Sequence, residues 1–213
     1  EIKFDDLYYR YELKSWYEKV KTRQTLIERI QNNPDEKSWG EFTHFYAEFI
    51  YNTVRSMGLS HHDSEDLRQQ VMLKAWKGIE KVEYDPAKHK FRSWMSTITK
   101  NTVRNFFAKK STRKQNQENN LDTTFGPELL SDSEIDSITE REWRIYISKL
   151  ALEAISKRFS EKTVSVFEAF LEGKSGEEVA IQCDLNINTV YSYKIRVQNA
   201  VCKEIIRLNE ELG

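Results

Sequence analysis

Helix-breaking residues are scarce in this sequence of 213 residues, which contains only three prolines and seven glycines. Because both residues disfavour helix interiors, their scarcity predicts an all-α protein. No segment approaches the roughly 18 apolar residues of a membrane-spanning helix, so we expect no membrane insertion. The N-terminal residues are charged at short intervals, and we expect no signal peptide. These absences favour a cytoplasmic protein.

Cysteine is also rare. Cys183 and Cys202 lie at apolar positions of predicted helices, without a Cys-x-x-Cys spacing or a neighbouring histidine. We therefore expect two reduced core cysteines, and we expect neither a bound metal nor another cofactor.

Acidic residues are absent between residues 90 and 114, although the formal net charge of the whole chain is only -1. Eight cations lie in this segment, namely Lys90, Arg92, Lys100, Arg104, Lys109, Lys110, Arg113 and Lys114. Such segregation indicates a polyanion or an acidic partner. Aromatic residues between the cations would stack on bases of single-stranded nucleic acid. The alternative is that the aromatic residues are core and that the cations complement a helix dipole.

Apolar residues at helical spacing predict four helices, which would form a compact domain over residues 22–114. The first helix ends before Pro34, because proline cannot continue a helix. The second is capped by Gly58. We expect the third to begin at Asp63-Ser64, and the fourth to run from Phe91 to about Lys109.

Two segments outside this domain are predicted with less detail. Residues 1–21 read as an amphipathic helical extension, which is either a packing strut or a docking site for a regulator. Residues 115–135 are rich in acids and contain Gly126-Pro127. We expect this segment to be a flexible acidic linker.

The C-terminal segment, residues 136–213, ends in the pattern of a helix-turn-helix. Ser175 and Glu178 have the spacing of a capping box, and Asp184 lies in a turn before a long helix that begins near Asn188. Asp184 occupies the position where glycine is usual, and aspartate tolerates a left-handed backbone better than most residues. The second helix of such a unit reads the major groove. A plain helical hairpin is the alternative.

Two blocks of sequence resemble one known family. DLRQQVMLKAW, a loop containing DP, and FRSWMSTITKN closely resemble the promoter-melting domain, region 2, of bacterial RNA polymerase sigma factors of the extracytoplasmic-function (ECF) group. The helix-turn-helix resembles region 4 of the same group, which reads the upstream promoter element. The resemblance covers about residues 22–210. It implies two small helical domains joined by the acidic linker, which in sigma factors passes through the polymerase channels.

The implied function is that of a sigma factor, which is not an enzyme. Such a protein binds core RNA polymerase, directs it to promoter DNA and assists opening of the duplex. The resemblance implies contacts with the clamp helices of the largest subunit and with the flap of the second-largest subunit. It also implies control by an inhibitory anti-sigma protein that clamps both domains.

The resemblance implies three groups of site residues. The residues expected to bind core polymerase are Asp66, Gln69, Gln70 and Met72. Those expected at the minus-ten element are Lys90, Arg92, Lys100, Asn101, Arg104, Asn105 and Lys109, with the loop 83–90 and Asn101 forming a pocket for a flipped base. Those expected at the minus-thirty-five element are Asn188, Thr189, Tyr191, Ser192, Lys194 and Arg196. Lys194 interrupts a buried stripe and is expected to direct its charge toward phosphate.

The sequence departs from the family pattern at two places. Gln70 replaces a glutamate that many relatives have, so one charge-assisted contact with the polymerase is expected to be missing. Thr97 and Ile98 occupy the positions where housekeeping sigma factors place a tryptophan pair that wedges the duplex open. We therefore expect weaker melting and a demand for a good match at both promoter elements.

Two other functions account for only part of the sequence. A polymerase-independent helix-turn-helix regulator would leave the block from Asp63 to Lys114 without a role. A metal-dependent phosphohydrolase would use His44, His62-Asp63 and Asp85, but the spacing of that family is not reproduced.

Overall fold

The computed structural model describes residues 26–32, 35–79, 91–115 and 130–212. These residues form helices without any strand, which confirms the all-α fold class. In chain order the described helices are α1 Leu26–Asn32, α2 Glu36–Ser56, α3 His61–Ile79, α4 Phe91–Gln115, α5 Asp132–Ser156, α6 Glu161–Leu171, α7 Gly176–Cys183 and α8 Ile187–Leu212.

The described residues divide into two compact units. The first contains residues 26–142 and Leu212, and the second contains residues 143–211. The boundary between the units lies between residues 142 and 143, within α5, whereas the sequence predicts that the C-terminal domain begins at residue 136. A continuous helix has no internal break in sequence that would mark such a boundary.

An aromatic cluster forms the centre of the first unit. The ring centroids of Phe42 and Tyr46 on α2 lie 4.9 Å apart, and that of Tyr46 lies 5.2 Å from Phe91 on α4. Trp39 on α2 meets Trp76 on α3 at 4.7 Å. Aromatic pairs at these distances contribute about 0.5–1.5 kcal/mol each beyond their buried area. The cluster therefore fixes α3 and α4, which carry the predicted binding residues, on α2.

The start of α3 corrects the sequence prediction. Its first residue is His61, and the hydroxyl of Ser60 accepts a hydrogen bond from the backbone N–H of Asp63 at 3.1 Å. Ser64 is fully buried and does not cap the helix. The predicted start at Asp63-Ser64 is therefore wrong, because Ser60 was available as an earlier cap.

The other predicted features of the second and third helices are confirmed. The expected apolar stripe of α3 is buried and consists of Leu67, Val71, Ala75 and Ile79. Gly58 follows α2 with a φ of 86°, a left-handed conformation that suits glycine. The side-chain amide of Gln31 on α1 donates to the carbonyl oxygen of Ile79 at 2.7 Å, which ties α1 to the end of α3.

Helices extend into both ends of the expected linker. Gln115 ends α4, past the predicted end near Lys109, and α5 begins at Asp132. Ser131 and Glu134 form reciprocal hydrogen bonds there: the Ser131 N–H donates to the Glu134 carboxylate at 2.7 Å, and the Glu134 N–H donates to the Ser131 hydroxyl at 3.3 Å. The bond from the Ser131 backbone is the main cause of a lowered pKa of Glu134. The Ser-x-x-Glu spacing of Ser131 and Glu134 is the sequence signal of this capping box.

The second unit is built around α6 and α8. Val166, Ala169 and Phe170 of α6 pack against Val179 of α7 and Val190 of α8. The predicted buried stripe of the long helix is confirmed, with Val190, Val197, Val201 and Ile205 in the core. The indole N–H of Trp143 donates to the side-chain oxygen of Asn209 at 2.8 Å, which fixes the second part of α5 on α8.

Cys183 and Cys202 form no disulfide, and burial raises the pKa of the Cys202 thiol to about 11. No helix in the described ranges is long and apolar enough to cross a membrane. The predicted helical extension over residues 1–21 lies outside the described residues.

Candidate nucleic-acid interface

The exposed face of α3 carries three of the four predicted polymerase-binding residues. Asp66, Gln69 and Gln70 are exposed, whereas Met72 is only 5% exposed. Leu73 lies on the same outward side, is 51% exposed and was not predicted to contribute. The sequence indicates that Leu73 is exposed, because this residue does not belong to the apolar stripe of α3. The face therefore combines one carboxylate, two amides and an exposed apolar side chain.

Two predicted minus-ten cations are ion-paired with the first turns of α5. The side chain of Lys100 is 16% exposed, and its ammonium lies 3.8 Å from Asp132 and 3.4 Å from Asp136. Arg104 also pairs with Asp132. The carboxylates of Asp132 and Asp136 are each 58% exposed, so a polyanion can compete with them for these cations.

The remaining described minus-ten residues lie along the same helix. Asn101, Asn105 and Lys109 are exposed on α4. The last two line a groove of ≈ 660 Å³ between α3 and α4, together with Gln70, Lys74, Thr102, Phe106 and Ala108. The groove thus joins a predicted polymerase contact to predicted DNA contacts. Lys90, the side chain of Arg92 and the loop 83–90 lie outside the described residues.

Residues 97 and 98, where housekeeping sigma factors have a tryptophan pair, are partly open to solvent. Thr97 is exposed, and its hydroxyl donates to the carbonyl oxygen of Ser93 at 3.0 Å. Ile98 is half-buried. A larger side chain therefore has room at residue 97, while residue 98 contributes to packing.

The turn of the helix-turn-helix confirms two sequence predictions. The N–H of Ser175 donates to the Glu178 carboxylate at 2.7 Å, and the N–H of Glu178 donates to the Ser175 hydroxyl at 3.3 Å. The bond from the Ser175 backbone is the main cause of a lowered pKa of Glu178. Asp184 has φ 49° and ψ 60°, a left-handed conformation. The N–H of Leu185 donates back to the carbonyl of Ala180 at 3.0 Å, which closes the end of α7.

Tyr191 lies over the first turn of α7. A Cβ atom at Gly176 would be 2.6 Å from the Tyr191 hydroxyl oxygen, which is closer than real contacts allow. The glycine is therefore required by the position of this ring. Three other predicted residues lie at the start of α8. Asn188 and Ser192 are exposed, and Thr189 is half-buried.

Both predicted cations of α8 lie over aromatic rings. The ammonium of Lys194 is 4.1 Å from the ring centroid of Phe170, and the guanidinium of Arg196 is 5.7 Å from that of Phe159. Such contacts contribute about 0.5–2 kcal/mol. The phosphate contact expected of Lys194 stays a prediction. Sequence reasoning missed both phenylalanines.

Metal-ligating groups do not cluster in the described ranges. No three His, Cys, Asp or Glu side chains there are placed to hold a metal ion. His44 is exposed and packs against Phe45 with 5.0 Å between ring centroids. Asp85 lies outside the described residues.

Comparison with known proteins identifies similar chains. Residues 44–113 match the family described as Sigma-70 region 2. The ECF RNA polymerase sigma-E factor of Escherichia coli strain K12 is 22% identical over 187 residues, which cover 86% of this chain and 94% of that protein. The protein of the same name from Haemophilus influenzae is 23% identical over 190 residues, covering 86% and 95%. The matching region 2 segment begins within α2 and ends within α4.

Proposed function

We propose that this chain, as a sigma factor of the ECF group, divides promoter recognition between its two helical units. The chain directs RNA polymerase to promoters and assists opening of the DNA. In this proposal it is a binding subunit in the cytoplasm, and the chemistry of RNA synthesis belongs to the polymerase. It requires no cofactor of its own.

One observation carries the proposal. The family match at residues 44–113 falls on α2, α3 and α4, which pack around one aromatic cluster. The outer surface of α3 holds Asp66, Gln69, Gln70 and Leu73, with Lys74 and Lys77 beside them, and that of α4 holds cations and amides. A protein partner and a nucleic acid can therefore be bound side by side.

The exposed face of α3 supports the polymerase-binding role. Asp66, Gln69 and Gln70 are available to hydrogen-bond the clamp helices of the largest subunit, and Leu73 adds apolar area beside them. Met72 is buried and supports this face mainly by packing. Gln70 has no charge, so its contact with a clamp arginine is weaker than that of a glutamate.

The cationic side of α4 is proposed to hold the minus-ten element. Lys100, Arg104 and Lys109 would contact phosphates, which position the strand without reading its sequence. Asn101 and Asn105 would contact base edges. Lys90, Arg92 and the loop 83–90 belong to the same proposed site.

The start of α8 is proposed to read the minus-thirty-five element. Asn188, Thr189, Tyr191 and Ser192 lie in the first turns of this helix, where a recognition helix contacts bases. Arg196 and Lys194 follow as phosphate contacts. We also propose that the second unit contacts the polymerase flap, and that an anti-sigma protein regulates the chain.

The test is transcription in vitro by bacterial core RNA polymerase on fragmented genomic DNA, with and without this protein, followed by sequencing of transcript starts. We expect starts that share two upstream motifs and that depend on the added chain. Failure to bind core polymerase together with absence of starts would overturn the proposal in favour of a polymerase-independent DNA-binding regulator.

A further inference from the structure

We infer that Ile195 determines part of the promoter specificity by contacting the C5-methyl group of a thymine in the minus-thirty-five element. The inference rests on the proposed function of α8 and goes beyond the residues assigned to it above. Ile195 is 54% exposed, although isoleucine is among the residue types most often buried.

The position of Ile195 on the helix supports this role. At 3.6 residues per turn, Asn188, Ser192, Ile195 and Asn199 fall within about 60° of one another around the α8 axis. All four are exposed. The buried stripe formed by Val190, Val197 and Val201 lies on the opposite side. Ile195 is therefore part of the outward face that a recognition helix presents to the major groove.

The four residues of this outward face carry no charge, and the cations next to Ile195 in sequence do not cover it. Lys194 and Arg196 are the adjacent residues in sequence, and each places its cationic group over a phenylalanine ring, Phe170 or Phe159. The outward stripe itself holds two amides, one hydroxyl and one branched apolar group. The apolar side chain is consequently not covered by the long cationic chains on either side.

Such a stripe has the chemistry that reads A·T pairs. Asparagine reads the N6 and N7 edge of adenine, and an apolar side chain contacts the methyl group of thymine in the major groove. A single A·T pair or two adjacent pairs present both features. We therefore expect the part of the minus-thirty-five element that faces Ile195 to contain at least one thymine whose methyl group is read.

Uracil substitution tests the contact directly, because uracil lacks only the C5-methyl group. The promoter found by mapping transcript starts would be prepared with each minus-thirty-five thymine replaced in turn. Binding of each fragment to the complex of core polymerase and this chain would then be measured. Burial of one methyl or methylene unit contributes about 0.8 kcal/mol, so we expect about a fourfold loss of affinity at one thymine.

The decisive comparison is the Ile195→Ala variant on the same fragments. We expect it to bind the thymine fragment about fourfold more weakly than the unchanged chain does, and to bind thymine and uracil fragments equally. Ile181→Ala is the matched control, because Ile181 is 83% exposed and lies on α7, outside the α8 stripe. This control should retain the full sensitivity to uracil.

Two results would overturn the inference. The first is a uracil sensitivity in Ile195→Ala that equals that of the unchanged chain. The second is a loss of core-polymerase binding by Ile195→Ala without a change in base preference, which would assign Ile195 to a protein contact. Absence of any minus-thirty-five protection in the unchanged complex would instead show that the proposed function of α8 itself has failed.

Discussion

Gly176 illustrates how a single missing side chain positions a candidate DNA contact. Its Cα lies beneath Tyr191, and a Cβ atom there would meet the hydroxyl oxygen at 2.6 Å and the adjoining ring carbon at 2.7 Å. The side chain of Tyr191 is fixed by this close approach as well as by Phe170, whose ring centroid lies 5.9 Å away. These two contacts therefore restrict the orientation of the ring.

We expect Gly176→Ala to displace Tyr191 and to weaken minus-thirty-five binding. Overpacking of this kind costs about 1–3 kcal/mol, which denaturant unfolding would measure. Gly40→Ala is the control, because a Cβ at Gly40 meets no atom within 4 Å. A second change, Tyr191→Ala, should restore stability to the Gly176→Ala variant without restoring DNA affinity. Unchanged stability of Gly176→Ala would contradict the assigned contact.

Arg196 and Lys194 are expected to differ in their response to salt. Loss of one phosphate contact should reduce the slope of log affinity against log salt concentration by about 0.9. We expect this reduction for Arg196→Ala. Lys194→Ala should change the slope less and should also reduce stability, because Lys194 is half-buried with its ammonium 4.1 Å from the Phe170 ring centroid, whereas Arg196 is exposed. Equal slopes for Arg196→Ala and the unchanged chain would show that Arg196 makes no phosphate contact.

Local sequence signals at the residue scale were sufficient for some features and insufficient for others. The capping box at Ser175 and the left-handed turn at Asp184 depend on neighbouring residues and were predicted correctly. The orientation of Lys194 depends on Phe170, which lies on another helix, and no local pattern records that contact. The exposure of Leu73, in contrast, follows from its position outside the predicted apolar stripe of α3.

At the scale of elements, the beginning of α5 faces the cations of α4. Asp132 and Asp136 hold Lys100, and Asp132 also pairs with Arg104. The capping box at Ser131 fixes where α5 begins and so sets the position of both carboxylates. The sequence assigned this segment to the linker, and the ion pairs could not be predicted because they depend on that helix start.

We expect the double variant Asp132→Asn and Asp136→Asn to bind single-stranded minus-ten DNA more tightly. Ion pairs of this kind contribute about 0.2–1 kcal/mol each, so loss of all three should tighten binding by about threefold or more at low salt. Fluorescence anisotropy with a labelled strand would measure it. Glu177→Gln alters an exposed acid of α7 and should have no such effect. A gain no larger than that of this control would contradict competition between the carboxylates and DNA.

At the scale of the whole molecule, the described residues divide into two helical units, and we propose that each makes one of two promoter contacts that must be satisfied together. The sequence predicts two domains and a linker, because the two motif blocks and the acidic segment between them are each recognisable. It did not predict the boundary inside α5, because a continuous helix carries no signal for it. The weak DNA melting expected from Thr97 and Ile98 is also a property of the whole molecule, since DNA opening requires the complete complex with polymerase.

We expect Thr97→Trp to increase transcription from fully paired promoters. Thr97 is exposed, so the fold should tolerate the larger side chain. Stacking of an aromatic ring on a base contributes about 1–3 kcal/mol, which corresponds to about a fivefold gain or more. Templates with a pre-opened minus-ten region should show no gain, and Thr97→Ala should remain at the original level. An equal gain on open and paired templates would refute the melting explanation.

Asp184 also limits how this chain can diverge. It is the one non-glycine residue with positive φ in the described ranges, and only glycine, asparagine and aspartate adopt that conformation at little cost. Neutral drift at this position should therefore be confined to these three residues, while the exposed surface of α7 changes freely. Position 184 would then serve as a fixed landmark for aligning distant relatives at identities near the 22% seen here.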